Sequence, residues 1–370
     1  MKIVADRHIP FVKHYFSDYD LHLFKGREIN RELLQDAEML LVRSVTRVDS
    51  ALLKNTKVKF VGSVTAGADH LDLSWLREAN IVVKLATGFN APPVADYIVS
   101  VIAALQSSNV LQKSPIRAGV IGVGCVGKLC QEKLSALNYE LMLNDPLRAT
   151  AEPQFHSHEL NDFEDLDLIT IHVPLTYDHH PTYHFIDDTF LKRQKPGCIL
   201  INASRGAVID TNALLHSGKH LKWCFDVWEN EPNIPAQILS EALIATPHIA
   251  GYSVQSKQRG IAMIYEAAVK LRFIQNNKKH DDLPTLTINA KGEEITWQSF
   301  VLSLFNPLQM TKTMKESLLS SSDRAHLFDQ LRLDFNNRYE IGSVMLSHAV
   351  LKEEDARVLK RFGVELVHCE

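Results

Sequence analysis

Short apolar runs alternate with helical patterns along the first ninety residues. The apolar runs are typical of buried strands and occupy residues 2–5, 39–42, 60–64 and 81–84. Residues 52–53 and 71–76 lie in helical stretches between them. Strands and helices in alternation favour a parallel sheet with both faces covered.

A second alternating block begins after two consecutive prolines, Pro92 and Pro93. Prolines bar a continuing strand but permit a helix to start just after them, and residues 94–105 form an apolar helical pattern. Six further strands are predicted at residues 117–121, 141–143, 168–171, 199–201, 223–227 and 245–246. The block therefore predicts one doubly wound unit over about residues 94–250.

The last part of the chain has a different pattern. A helix is predicted over about residues 255–274, and the polar segment 275–282 then resembles a linker. Four later elements are predicted, two helical stretches and two apolar runs, at residues 311–319, 324–335, 344–351 and 364–367. We expect an α/β fold with three domains, formed by residues 1–92 with 254–280, residues 93–253, and residues 281–370.

Charge and composition narrow the class of protein. The formal net charge of -4 argues against broad binding to nucleic acid or to an anionic membrane surface. No stretch has the length and apolarity of a membrane-spanning helix, and residues 1–6 resemble a strand rather than a signal peptide. Five scattered cysteines without a CxxC pair are typical of reduced thiols. We therefore expect a cytoplasmic protein.

A glycine-rich loop follows the predicted strand at residues 117–121 and opens a helix. Gly122 permits a tight turn, Gly124 lets the backbone approach a pyrophosphate, and Gly127 lets the helix pack closely on the strand. Val126 lies at a variable position of the same loop. The N–H groups at the start of the helix would attract phosphate.

Asp145 strengthens this motif, because it ends the next strand, eighteen residues after Gly127. Its carboxylate can accept hydrogen bonds from both adenosine ribose hydroxyls and would repel a 2′-phosphate, so NAD is favoured over NADP. Arg148 lies nearby and is the one feature that points the other way. A plain strand–turn–helix is the alternative interpretation.

Three polar side chains follow predicted strands in the same block: Arg205, Glu231 and His248. Ligands of open α/β sheets bind outside the carboxyl ends of the strands, so all three could face one crevice. Oxidation of a 2-hydroxy acid needs a proton acceptor, which histidine supplies, and a glutamate that orients the ring. Arginine can bind the carboxylate. Each residue alone is commonly structural, but the combination beside a dinucleotide fingerprint favours catalysis.

Five separated segments resemble the D-isomer-specific 2-hydroxyacid dehydrogenase family over about residues 1–275. They are residues 65–72, 89–91, 202–210, 226–232 and 246–251. The resemblance implies two doubly wound Rossmann-like domains, a flavodoxin-like substrate domain and an NAD-binding domain. It also implies that Arg205 binds the substrate carboxylate, that Glu231 supports the base, and that His248 donates or accepts the proton. The cofactor contacts that it implies are Val173, Ala203, Ser204, Asp226 at the nicotinamide end, and Gly251.

Within this family the chain is most similar to the branch that acts on 4-phosphoerythronate in pyridoxal phosphate synthesis. The similarity rests on residues 1–6, 41–46, 248–253, 328–332 and 337–340. The implied reaction is oxidation of 4-phospho-D-erythronate by NAD to 3-hydroxy-2-oxo-4-phosphooxybutanoate. The resemblance further implies that the last domain is a small α+β dimerisation domain, and hence a homodimer.

The same resemblance implies that Ser44, Thr65 and Tyr252 contact the substrate, since their hydroxyls suit a phosphate or a substrate hydroxyl. Turn capping is the alternative role for Ser44 and Thr65. A phosphate also needs a cation, and the two candidates are Arg43 and Arg338, the latter reaching in from a partner chain.

Other functions stay open at this stage. One alternative is a dehydrogenase for phosphoglycerate, glyoxylate or lactate. Another is an NAD-sensing interaction protein, because fold alone does not establish catalysis. We expect no metal site, because the histidines at 156, 158, 179, 180 and 184 lack a cysteine or carboxylate set.

Overall fold

A computed structural model describes residues 1–112, 114–278, 282–335 and 338–369. The chain forms two compact units, Met1–Asn90 with Ser253–Pro284 and Ala91–Tyr252 with Thr285–Glu370. The predicted domain boundary between residues 280 and 281 lies outside the described residues. A separate domain over residues 281–370 stays a prediction, since the structure groups residues from Thr285 onward with the second unit.

The first unit contains a parallel five-stranded sheet. Its strands are β1 Lys2–Asp6, β2 Asp20–Phe24, β3 Met39–Val42, β4 Phe60–Ser63 and β5 Val82–Leu85. The order β2-β1-β3-β4-β5 is the flavodoxin-like doubly wound order. The helices that follow the strands are α1 Val12–Phe16, α2 Arg31–Leu34, α3 Ser50–Leu53 and α4 Leu73–Glu78.

Strand β2 is the one strand of this sheet that the sequence pattern did not predict. It pairs only with β1 and therefore lies at an edge. Asp20 is exposed and the other four residues are only partly buried, so the strand lacks the continuous apolar run of a central strand.

The second unit begins with a parallel six-stranded sheet. Its strands are β6 Arg117–Ile121, β7 Glu140–Asn144, β8 Leu168–Ile171, β9 Ile199–Asn202, β10 Lys222–Phe225 and β11 Ile244–Ala245. The order is β11-β10-β9-β8-β6-β7, so the direction of winding reverses between β6 and β8. The helices are α5 Ala91–Ser107, α6 Cys125–Ala136, α7 Pro146–Ala151, α8 Asp188–Arg193, α9 Thr211–Ser217 and α10 Ala236–Glu241. Ligands of such sheets bind at this reversal, and the glycine loop begins there.

Helix α11, Val254–Lys270, returns the chain to the first unit. Ser253 caps its N-terminus, since the Ser253 hydroxyl accepts a hydrogen bond from the backbone N–H of Ser256 at 2.8 Å. Ile261 and Ile264 on its apolar face are fully buried. A side chain at Gly62 of β4 would collide with Ile264, so helix and sheet approach closely. The helix ends at Lys270, four residues before the predicted end.

The C-terminal part of the second unit carries a third, three-stranded parallel sheet in the order β12-β13-β14. Its strands are β12 Leu286–Asn289, β13 Val344–Ser347 and β14 Glu365–Val367, and its helices are α12 Trp297–Leu304, α13 Pro307–Leu319, α14 Arg324–Asp334 and α15 Glu353–Arg361. Strand β12 was not predicted, because it is a short edge strand in which partly buried and exposed residues alternate.

Buried polar contacts join this C-terminal part to the rest of the second unit. Asp96 of α5 is buried; it pairs with Lys133 at 2.9 Å and accepts a hydrogen bond from the N–H of Ile341 at 2.8 Å. The Thr311 hydroxyl accepts a hydrogen bond from the N–H of Ala245 on β11 at 2.9 Å. The C-terminal part is therefore anchored directly beside the strand that precedes His248.

None of the helices in the described ranges combines the length and the apolar character needed to cross a membrane.

Candidate active site

The glycine loop has the geometry that its sequence predicts. Gly122 has a φ of +83°, a conformation that side chains rarely tolerate. A Cβ at Gly127 would overlap the carbonyl oxygen of Gly122, so the first turn of α6 packs against the loop itself. A Cβ at Gly124 would meet nothing within 4 Å. The space above Gly124 thus lies at the start of α6, where a pyrophosphate would be bound by backbone N–H groups. Val126 is half-buried in the first turn of α6.

Asp145 follows β7 and links the loop to the next helix. One carboxylate oxygen accepts a hydrogen bond from the N–H of Val123 at 2.8 Å, and the other accepts one from the N–H of Arg148 at 2.9 Å. Each oxygen keeps a second lone pair, so the carboxylate can still accept ribose hydroxyls. The Arg148 guanidinium pairs with Glu152 at 2.8 Å and lies over the Phe155 ring at 4.1 Å. Arg148 is therefore engaged by Glu152 and Phe155, which weakens the argument that it binds the 2′-phosphate of NADP.

The segment after β8 lies against the same loop. A Cβ at Gly122 would touch the backbone of His172 and the side chain of Val173. Burial lowers the pKa of His172 to about 3, so this imidazole is neutral at physiological pH. Its Nε2 atom lies 3.0 Å from the Thr170 hydroxyl oxygen. These contacts put Val173 beside the predicted cofactor loop.

The turn after β9 is built by Asn202. Its side-chain oxygen accepts hydrogen bonds from the N–H of Ser204 at 3.0 Å and from the Ser204 hydroxyl at 2.8 Å. Its amide donates to the carbonyl of Arg205 at 2.9 Å. A Cβ at Gly206 would overlap the backbone of Trp228, so the Arg205 turn packs directly on the segment that leads to Glu231. Ala203 and Ser204 are half-buried in this turn.

Glu231 and His248 are brought together by the neighbouring strands β10 and β11. Glu231 Oε2 lies 2.7 Å from His248 Nδ1, and its Oε1 accepts a hydrogen bond from the N–H of Trp228 at 2.7 Å. Both carboxylate oxygens are thereby fixed. His248 is 34% exposed, and Nε2 is the ring nitrogen left to meet a ligand. The arrangement can take a proton at Nε2 and stabilise the resulting imidazolium.

Glu231 stays ionised in this setting. Burial would raise its pKa, but His248, the N–H of Trp228 and the positive charge of Arg332 outweigh burial and lower that pKa below its ordinary value. The glutamate therefore presents a negative charge to the imidazole ring.

Asp226 holds the turn that carries His248. The side chain is 1% exposed. Oδ1 accepts hydrogen bonds from the Thr246 hydroxyl at 2.6 Å and the N–H of Ile249 at 2.8 Å, and Oδ2 accepts one from the N–H of Ala250 at 2.9 Å. His248 itself has a φ of +57°, a sparsely populated conformation for a non-glycine residue. The sequence did not predict this supporting role, and a contact of Asp226 with nicotinamide stays a prediction.

Two aromatic residues extend this support. The Tyr97 hydroxyl lies 2.9 Å from the Thr246 hydroxyl oxygen, and the Trp228 indole N–H donates to the Thr246 carbonyl at 3.0 Å. Neither residue was a candidate in the sequence. Tyr97 lies in an apolar helix far from residue 246, and Trp228 was only part of the 226–232 motif. Gly251 follows the turn and is half-buried.

The predicted substrate residues fall in both units and are described separately. In the first unit, Ser44 follows β3 and is exposed, and Thr65 follows the neighbouring strand β4. The Thr65 hydroxyl donates to the carbonyl of Gly67 at 2.8 Å, which is the turn-capping role, and also lies 2.8 Å from the Ser63 hydroxyl oxygen. In the second unit, half-buried Tyr252 accepts a hydrogen bond from Arg332 at 3.4 Å.

The two cations suggested for a phosphate are both engaged within the chain. Arg43 pairs with buried Asp6 at 2.8 Å. Arg338 is 6% exposed and donates to the carbonyls of Pro93 at 2.6 Å and Ala250 at 2.7 Å. This placement differs from the expected reach of Arg338 into a partner's site: it holds the turn after His248 in its own chain. Asn337, part of the same sequence segment, lies outside the described residues.

The histidine cluster after β8 has a structural partner. His184 Nε2 lies 2.8 Å from Glu229 Oε1, and the His184 ring stacks on Tyr183 at 3.9 Å. Within the described ranges, no group of three or more histidine, cysteine and acidic side chains is arranged to hold a metal ion.

Fold and site together are those of an NAD-dependent dehydrogenase. The family model for the NAD binding domain of D-isomer specific 2-hydroxyacid dehydrogenases matches residues 104–250. The chain is 42% identical over 364 residues to the erythronate-4-phosphate dehydrogenase of Coxiella burnetii (strain RSA 331), covering 96% of this chain and 98% of that protein. It is 37% identical over 382 residues to the erythronate-4-phosphate dehydrogenase of Pseudomonas paraeruginosa, covering 99% of this chain and 100% of that protein.

Among solved structures, the NAD+-bound 3-phosphoglycerate dehydrogenase of Entamoeba histolytica matches with a TM-score of 0.61 at 23% identity, covering 76% of this chain and 99% of that one. That likeness shows the fold. The chain belongs to the D-isomer-specific 2-hydroxyacid dehydrogenases and, within them, to the erythronate-4-phosphate dehydrogenase family. The family and the NAD cofactor predicted from the sequence motifs are thereby confirmed.

Proposed function

We propose that the protein oxidises the C2 hydroxyl of 4-phospho-D-erythronate to give (R)-3-hydroxy-2-oxo-4-phosphooxybutanoate, a step of pyridoxal 5′-phosphate synthesis. The observation that carries the proposal is the Glu231–His248 pair at 2.7 Å, set beside the Arg205 turn at the carboxyl edge that also carries the glycine loop. The names of the relatives supply the substrate.

The chemistry follows from these side chains. When bound, NAD would supply the acceptor for the hydride that leaves C2. His248 Nε2 takes the hydroxyl proton. The O–H and C2–H bonds break and the C=O bond forms. Glu231 stabilises the imidazolium. Arg205 binds the substrate carboxylate and polarises the forming carbonyl. The remaining cofactor contacts are those predicted from the family: Gly122, Gly124, Val126, Gly127, Asp145, Val173, Ala203, Ser204, Asp226 and Gly251.

Ser44, Thr65 and Tyr252 complete the proposal as substrate contacts. Support comes from their chemistry and from the family motifs. The Thr65 hydroxyl donates to Gly67, but its oxygen can still accept a hydrogen bond from a substrate hydroxyl.

The decisive experiment is turnover of 4-phosphoerythronate with NAD and a 2-oxoacid acceptor for the reduced cofactor. We expect turnover that falls by about 10²- to 10⁴-fold in His248→Ala, with NAD binding retained. Faster turnover of lactate, glyoxylate or phosphoglycerate would refute the substrate. Unchanged turnover in His248→Ala would refute the role of the histidine, and the absence of any turnover would favour an NAD-sensing protein.

We also propose a cytoplasmic homodimer. The C-terminal part carries exposed apolar side chains, among them Leu333 at 72% exposure on α14, which suits an isologous interface. Light scattering at micromolar concentration should give twice the chain mass, and a monomer would contradict the proposal.

A further inference from the structure

Arg332 of α14 lies at the edge of the site just described. Its Nη2 donates to the Tyr252 hydroxyl at 3.4 Å, and its guanidinium lies 5.8 Å from the centre of the Phe328 ring. Its positive charge is among the causes that lower the pKa of Glu231. The guanidinium thus lies beside Tyr252, a predicted substrate residue four positions after His248.

This guanidinium is incompletely satisfied. Its Nε atom is buried and has no hydrogen-bond partner within the described part of the chain. No carboxylate of the described residues forms an ion pair with Arg332, whereas Arg43 pairs with Asp6 at 2.8 Å. Arg338 also has two buried nitrogens, Nε and Nη1, without a hydrogen-bond partner in the described part of the chain, but it is only 6% exposed and its Nη2 donates to the carbonyls of Pro93 and Ala250. A partly buried cation without an anionic partner is costly, and a bound anion would remove that cost.

Tyr252 adds a second donor beside it. Because the Tyr252 oxygen accepts the hydrogen bond from Arg332, its own hydrogen remains available to donate. A guanidinium and a phenol side by side offer donors to two oxygens of one phosphate.

We propose that Arg332, together with Tyr252, binds the phosphate of the substrate. The proposal rests on the proposed function and names the cation that the phosphate requires. The substrate is short: C4, which carries the phosphate, is two bonds from C2, which loses the hydride. The cation that binds the phosphate must therefore lie close to the Glu231–His248 pair. Arg332 lies beside Tyr252, four residues after His248, within the same chain.

A different role would be to balance the charge of Glu231 alone, and the two roles predict different kinetics. If Arg332 binds the phosphate, its loss raises the KM and leaves kcat at saturation largely intact. If Arg332 acts only through Glu231, its loss lowers kcat instead, and by the same factor for every substrate.

The test is steady-state kinetics of Arg332→Gln with NAD, using 4-phosphoerythronate and unphosphorylated erythronate. We expect kcat/KM for the phosphorylated substrate to fall by about 10- to 100-fold, mainly through KM, as loss of a charge-assisted hydrogen bond implies. Any loss with erythronate should be much smaller, because that substrate lacks the phosphate, so the ratio of the two kcat/KM values should fall. Arg357→Gln removes the same charge from an exposed position on helix α15 and serves as the matched control, with wild-type kinetics expected.

Tyr252→Phe is the second variant, and it should raise the KM for 4-phosphoerythronate several-fold with kcat preserved. NAD binding checks that each variant is folded. An equal fall in kcat with both substrates, or kinetics unchanged from wild type, would overturn the assignment of Arg332. If the wild-type protein itself does not turn over 4-phosphoerythronate, the proposed function fails, which is a distinct result.

Discussion

His248 Nδ1 lies 2.7 Å from Glu231 Oε2, and the other oxygen of Glu231 is held by the N–H of Trp228. The imidazole is therefore oriented by a carboxylate that is itself immobilised. Its remaining nitrogen, Nε2, is the one that can exchange a proton with substrate.

Replacement of Glu231 by glutamine should lower kcat/KM by about 10²-fold, because an amide cannot balance the imidazolium that forms during the reaction. NAD binding, measured by fluorescence titration, should be unaffected. Glu229→Gln is the matched control, since Glu229 pairs with His184 instead. Equal losses in the two variants would contradict the role of Glu231.

Stability should depend on pH through the same carboxylate. The folded state lowers the pKa of Glu231 below its ordinary value of 4.5, so the ionised form adds stability above that pH, and this stability is lost as the pH falls from 4.5 through the folded-state pKa. The difference in unfolding free energy between wild type and Glu231→Gln should therefore shrink between about pH 7 and about pH 3.5. Urea titrations at both pH values measure it, and a constant difference would be evidence against the predicted shift.

Asp226→Asn should destabilise the protein by about 1.5–3 kcal/mol, since at least one of three buried hydrogen bonds to the carboxylate loses its acceptor. Activity should fall as well, because the turn that carries His248 loosens. Thr246→Val removes one of these bonds and also the contact with the Tyr97 hydroxyl, so it should cost about 2 kcal/mol. Thermal unfolding and kcat are the readouts, and an Asp226→Asn protein of wild-type stability would contradict the supporting role.

Two glycine variants separate folding from cofactor binding. Gly127→Ala puts a Cβ against the Gly122 carbonyl, so we expect a lower unfolding temperature and weak NAD binding. Gly124→Ala adds a Cβ in open space, so the unfolding temperature should be unchanged while NAD affinity falls, because the pyrophosphate would approach there. Calorimetry with and without NAD makes the comparison. Wild-type NAD affinity in Gly124→Ala would show that the pyrophosphate does not bind at this position.

The sequence predicted the parts of the fold and site that depend on local pattern. The central strands have continuous apolar runs, and the positions of Gly122 and Gly127 follow from turn geometry and close packing. Arg205, Glu231 and His248 could be grouped because parallel strands end at one edge, and β9, β10 and β11 are indeed neighbours.

The rest depends on contacts between distant segments, which no local pattern encodes. Asp226 holds residues 246–250 through a network that ends at Tyr97. Arg332 reaches Tyr252 across 80 residues of chain, and Arg338 reaches Pro93 across 245. Half-exposed edge strands such as β2 were missed for a different reason. Part of such a strand faces water, so its sequence lacks the continuous apolar run that marks a buried strand.

Helix α11 has a consequence for the order in which the chain acquires structure during synthesis. Its buried residues Ile261 and Ile264 pack in one cluster with Ile3, Phe16 and Phe60, yet Ala91–Tyr252 must leave the ribosome before α11 is made. Until then one face of the first sheet lacks its cover and presents apolar surface to water, a state that invites aggregation. The second sheet, which is encoded without interruption, can form while the first still waits, so the N-terminal unit begins synthesis first and is among the last parts to be completed.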